Sequence, residues 1–186
     1  DSVASRGLGD VYKRQVFETV FTTARGKAVM TESLNSGTAG RLPWGELARR
    51  VECVSGSVTF DVLMRPGRRG DTVNPYHSTI GKQTVFNVGT VLGLFLHSPE
   101  LEMDWSDECV SGRFEMREGE KRTLAIVVCS DGPLVVPSIE EIDERIDISD
   151  NEWRVWADRV AYDGQNRHAF LPVSYTHLTL PTTPYV

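Results

Sequence analysis

Cysteine is scarce in this 186-residue chain, and the three present, Cys53, Cys109 and Cys129, exclude two frameworks at once. An odd number at these spacings builds neither a closed disulfide scaffold nor a C-x-x-C metal or redox motif. Unpaired thiols suit a reducing compartment, so a cytoplasmic location is expected. Long apolar runs are also missing, and none approaches the roughly 18–20 residues that span a bilayer, so no membrane partner is expected. Basic charge is in deficit, with 20 Lys and Arg against 26 Asp and Glu, a net charge of −6. That balance argues against nucleic acid as a partner. No G-x-S-x-G, H-E-x-x-H or P-loop occurs, so no nucleophile elbow, zincin site or phosphate cradle is expected. No catalytic residue, cofactor or metal site is proposed from the sequence.

The two ends read differently from the rest. Asp10–Gln15 is what GAT-GTG-TAT-AAG-AGA-CAG encodes, and Ser5–Gly9 fits the preceding codons of one transposase-adapter oligonucleotide. Val173–Leu178 is encoded by the reverse complement of the same end sequence. Residues 1–15 and 172–186 are therefore expected to be adapter-derived and are set aside from fold reasoning. Val16–Leu171 remains, long enough for one domain with a sizeable core, and setting the ends aside makes the net charge one unit more negative.

Within that segment the organising stretch is Leu47–Met64. Val58, Phe60, Val62 and Met64 alternate with Thr59, Asp61 and Leu63, the period of a strand with one buried face. Leu47, Val51 and Cys53 share one parity ahead of it. The Ser55-Gly56 pair between them predicts a tight hairpin turn. Val16–Thr23 and Ala28–Leu34 predict another hairpin across residues 24–27. Further strands are predicted over Gln83–Val88, Thr90–Leu96, Leu101–Trp105, Gly112–Met116 and Arg122–Cys129, with a charged turn over Arg117–Lys121. Asn35–Gly40 and Pro66–Ile80 read as loops. Strands recurring about every 8–14 residues with no long helix between them predict an antiparallel β-sandwich over residues 16–136.

The texture changes at Pro137. Ser138-Ile139-Glu140-Glu141 is a capping box, with Ile139, Ile142 and Ile146 following at helical spacing. Ser149-Asp150-Asn151-Glu152 predicts a second helix start, followed by Trp153, Trp156 and Val160 as a core-facing stripe. Tyr162-Asp163-Gly164 would end it, and Gln165–Leu171 reads as the start of another helix. Residues 137–171 are thus a helical linker leading into a helical domain. Two residues stand as candidates for contact with a ligand or another domain: Trp44, beside Pro43 in a loop, and His77, in the Pro66–Ile80 loop. Trp44, Trp105, Trp153 and Trp156 are the residues from which a sugar-stacking platform could be built, with Trp153 and Trp156 better suited to core. The acidic run Glu140–Asp147 reads as a solvated helix face.

Three blocks in order, VFETVFTT…GKAVMTE (Val16–Glu32), LARRVECVSGSVTFDV (Leu47–Val62) and WRVWADRVAYDGQNRHAFL (Trp153–Leu171), resemble glycoside hydrolase family 15, the glucoamylase and trehalase-like family. LNSGTAGRLPWGELARR (Leu34–Arg50) is similar to one bacterial branch of it, and Trp153, Trp156, Tyr162, Asp163 and Gly164 match the junction pattern in order. The resemblance implies a mainly β chain: an antiparallel, supersandwich-like β-sandwich, incomplete at its N-terminus, followed by the first helices of a truncated (α/α)6 barrel. It implies a parent glycosidase that inverts α-glucosidic bonds using two Glu residues of the barrel. Those lie downstream of Leu171, so the chain itself is expected to be inactive. α-Glucan, α-glucoside or trehalose is the implied substrate, and the barrel the implied packing partner. The alternative is a stand-alone carbohydrate-binding β-sandwich using Trp44 and the Pro66–Ile80 loop.

Overall fold

A computed structural model describes residues 16–37, 42–66, 76–80, 83–106, 109–129 and 132–159. The terminal segments read as adapter, Tyr162–Gly164 and Gln165–Leu171 lie outside the described residues. The fold is mainly β and antiparallel. Strand β1 (Val16–Thr22) and β2 (Gly26–Leu34) form the predicted first hairpin. They are followed by β3 (Gly45–Met64), β4 (Tyr76–Ile80), β5 (Gln83–Val88) and β6 (Val91–His97). Then come β7 (Asp104–Trp105), β8 (Val110–Arg117), β9 (Lys121–Cys129) and the helix α1 (Ile139–Arg159). The main sheet runs β1-β2-β3-β9-β6-β5-β4, with β8 on the far half of β3 and β7 on β8.

The central stretch is not a hairpin. β3 is one strand of 20 residues. Its first part pairs with β2 on one side and β9 on the other, Leu47 lying between Leu34 and Ile126. Its second part, from Ser57 on, pairs with β8 instead. Gly56 takes φ +65° and bends the strand without reversing it. Long-range partners set this outcome. The Arg25 carbonyl accepts from Ser57 N–H, the Gly56 carbonyl from Glu118 N–H, and the Cys53 carbonyl from Gly119 N–H. The permissive backbone that suggested a turn serves a kink held between two real turns, residues 23–26 and 117–120. A Cβ at Gly56 would meet the Arg25 carbonyl oxygen at 2.1 Å, so the approach itself demands glycine.

The bend folds the second half of β3, with β8 and β7, over one face of the main sheet. Between the layers lie Met64, Phe86, Phe95, Leu101, Val110 and Leu124. Nearer the bend, Ala28, Val51, Cys53, Val58 and Met116 fill the same interface. The opposite face is covered by α1, whose Ile142 and Ile146 are fully buried against Ala48, Leu94, Leu96, Ala125 and Val127. Burying one such isoleucine stabilises by about 1.5–3 kcal/mol.

Three further expectations change. Leu101–Trp105 shortens to β7, because Leu101 N–H turns back to the Ser98 carbonyl at 3.0 Å. The end of the Pro66–Ile80 loop is strand β4, paired with β5. Ser149 does not start a second helix. Its Oγ donates to the Arg145 carbonyl at 2.7 Å and accepts from Ser36 N–H at 2.8 Å, so it has no role as a cap and α1 runs through unbroken. The first capping box forms as predicted: Glu141 N–H donates to Ser138 Oγ (3.2 Å) and Ser138 N–H to Glu141 Oε2 (2.8 Å).

Candidate functional site

Trp44 and His77 do not share a site. His77 pairs with Phe86 in the β4–β5 ladder, and its ring lies 5.9 Å from that of Trp105. Trp105 meets Phe95 edge-on at 6.3 Å, and Phe95 belongs to the core between the two β layers. His77 is therefore a strand residue in an aromatic packing group, not a loop residue, because β5 supplies it a ladder partner that local sequence did not reveal. Trp44 packs with the core on the helix side of the sheet. The two candidates are separated by the sheet itself, which rules out a common contact surface and a tryptophan platform joining Trp44 to Trp105. Trp153 is half-buried on α1; the side chain of Trp156 lies outside the described set.

Trp44 belongs to a charged centre that sequence reading missed. Glu46 sits on β3 with its side chain fully buried. Arg145 of α1 donates from Nε to Glu46 Oε1 at 2.8 Å and from Nη2 to Oε2 at 2.9 Å, a bidentate pair. Asn35 Nδ2 donates to Oε1 at 2.9 Å and to the Ile142 carbonyl at 3.2 Å. Trp44 Nε1–H donates to Oε2 at 3.1 Å, and the Arg145 guanidinium lies over the indole ring, 6.0 Å from its centroid. Strand, helix and the 35–44 connection are thus tied at one carboxylate. One signal for it existed: Arg145 falls three residues after Ile142 and one before Ile146, inside the apolar stripe of α1. A cation there needs a buried partner.

On the other flank of the Ile142–Ile146 stripe, Arg50 meets Asp147 (2.8 Å), Asp143 (3.6 Å) and Glu52 (3.4 Å). Burial alone would lower its pKa, but the hydrogen bond it donates to Asp147 and the three carboxylate charges outweigh it and hold the guanidinium above its ordinary value. Asp143 also pairs with Lys121 and accepts from Thr123 Oγ1 at 3.1 Å. The acidic helix face is in part a clasp onto the sheet rather than wholly solvated. These carboxylates are spent on cations. Among the described residues no group of His, Cys, Asp or Glu could hold a metal ion, and no helix is long and apolar enough to cross a membrane.

Beside the Glu46 centre opens a cleft of about 820 Å³. Trp44, Asn35 and Glu46 form one wall; Val91, Cys129 and Pro133 belong to the other residues around it. The three cysteines are free thiols, Cys53 and Cys129 buried and Cys109 half-buried. The Cys129 thiol lies 3.3 Å from the Gly132 carbonyl it donates to. The Asn35 carbonyl oxygen is buried with no hydrogen-bond partner.

No family model matches the chain, and no curated protein matches it. Among solved structures, one described as "Putative kojibiose phosphorylase from human microbiome" is similar over 89% of this chain and 24% of its own, at 9% identity and a TM-score of 0.44. This chain thus spans about a quarter of that protein's length. Likeness of that degree leaves the functional argument to the residues themselves.

Proposed function

We propose that this chain is the non-catalytic β-domain of a carbohydrate-active enzyme, and specifically of an inverting α-glucoside hydrolase of glycoside hydrolase family 15. Its role is to pack on and brace a catalytic (α/α)6 barrel formed by sequence beyond Leu171, with residues 137–171 leading into it. The substrate is an α-glucan, an α-glucoside or trehalose.

The observation that carries the reading is the way α1 is fastened. Ile142, Ile146 and the Glu46–Arg145 pair fix its first half to the sheet. Beyond Ser149 no helix residue whose side chain is described is fully buried, although the helix continues through Trp153 to Arg159. A helix whose first half is buried against the sheet and whose second half carries two tryptophans suits a junction. The three sequence blocks support the family.

The test is to read the frame in the source DNA past Leu171 and express the chain with and without that continuation. Glucose release from maltotriose and trehalose would be followed by NMR. The expected result is no turnover by the chain alone, and release of the β-anomer by the extended protein, since inversion converts α to β. Turnover by the chain alone, or a frame that stops soon after Leu171, would overturn the proposal.

A further inference from the structure

We infer that the cleft beside Trp44 is a binding site for a neutral saccharide, engaging one or two pyranose rings by stacking on the indole. The inference does not rest on the hydrolase reading, because the cleft is built entirely from residues of this chain.

Three features select that ligand class. The first is size and shape: about 820 Å³ falls within the range of roughly 300–1,000 Å³ typical of small-ligand sites. The second is the indole. Trp44 is half-buried, lines the cleft, and is held in one orientation by its N–H bond to Glu46 and by Arg145 over the ring. A ring fixed beforehand loses little freedom when a flat ligand packs on it. The third is charge. The one carboxylate in the wall is neutralised by a bidentate guanidinium, so the cleft offers no net charge to recognise an anion or a cation. A pyranose combines a flat C–H face with hydroxyl donors and carries no charge.

Cys129 provides a reporter, because this residue lines the cleft while Cys53 and Cys109 are not among its lining residues. The experiment uses the full chain and titrates maltotriose into the millimolar range. Binding is read by saturation-transfer NMR, and alkylation of each cysteine by peptide mass spectrometry. The expected result is saturable binding that slows alkylation at Cys129 and leaves Cys109 unaffected. Trp44→Ala should weaken it by at least about tenfold, as loss of an aromatic anchor does. Because Trp44→Ala also removes a bond to Glu46, Pro133→Trp is the second variant: Pro133 is exposed, so a bulky residue there fills the cleft without touching the core. It should abolish binding while leaving the thermal midpoint unchanged. Absence of saturable binding to the folded wild type would overturn the inference. So would equal binding by the wild type and Pro133→Trp, or binding of indole with none of maltotriose. Turnover is not read, so the outcome is separable from the fate of the hydrolase proposal.

Discussion

Replacing Glu46 with Leu should be among the most damaging single changes in this protein, and pairing it with Arg145→Met should restore much of the loss. The carboxylate accepts four hydrogen bonds, two from Arg145 and one each from Asn35 and Trp44. Its side chain has no exposure to solvent, and that of Arg145 is only 14% exposed. Removing one partner leaves an unpaired charge beneath the helix, which costs about 3–5 kcal/mol. Set against a total stability on the order of 5–15 kcal/mol, that is a large fraction. With a urea m-value of roughly 1–3 kcal/mol/M, the unfolding midpoint should fall by about 2 M. Arg145→Met alone should cost a similar amount, by stranding the carboxylate. The double variant removes both charges and leaves only the Asn35 amide and Trp44 N–H short of a partner, at about 1–3 kcal/mol. Its loss should therefore be smaller than that of either single variant. Urea unfolding followed by circular dichroism on all four proteins closes the cycle. If both single variants cost under about 1 kcal/mol, or if the double equals their sum, the pair is not the buried tie described here.

The bend and the caps give further expectations. Gly56→Ala should destabilise by more than Gly89→Ala: both have positive φ, but an added Cβ meets the Arg25 carbonyl only at Gly56 and has open space at Gly89. The Gly89 change should cost about 1–2 kcal/mol, as backbone strain alone does, and equal midpoints in thermal unfolding would contradict the close approach. Ile142→Ala should cost about 2–5 kcal/mol by opening a cavity between helix and sheet, measurable by urea unfolding. Ser138→Ala should cost about 0.5–2 kcal/mol through loss of the N-cap bond, and amide exchange at the N–H of Glu141 should speed up. No change in that exchange rate would mean the cap carries no weight.

Much of the architecture was legible because it is local. The alternation over Gln83–Leu96 around Gly89 gave β5 and β6, the charged turn at residues 117–121 gave the β8–β9 connection, and Ser138 with Glu141 gave the start of α1. What failed was non-local. Ser55-Gly56 has the chemistry of a turn, and only the strands that flank β3 decide that it bends instead. Ser149 carries a cap signature, but its hydroxyl is taken up by Arg145 and by Ser36 from another part of the chain. His77 became a strand residue once β5 was beside it. Of the candidate site, Trp44 was visible as a tryptophan in a proline-flanked connection. The carboxylate that fixes it was not, since Glu46 gains meaning only when Arg145 is brought over it.

The bent strand also sets an order of assembly. β1, β2 and the first half of β3 are neighbours in sequence and pair with one another, whereas β8 and β9, joined by the turn at residues 117–120, pair with β3 and not with each other. That first unit can form by short-range closure, but the two layers are not joined until β9 reaches the start of β3 and β8 reaches its end. Closing a long loop is slow because its entropy is lost before contacts compensate. The docking of β8 and β9 along the two halves of β3 is therefore expected to limit the folding rate. Substitutions at this seam, such as Ala125 opposite Ala48, should slow refolding, whereas those in the β1–β2 hairpin should chiefly speed unfolding.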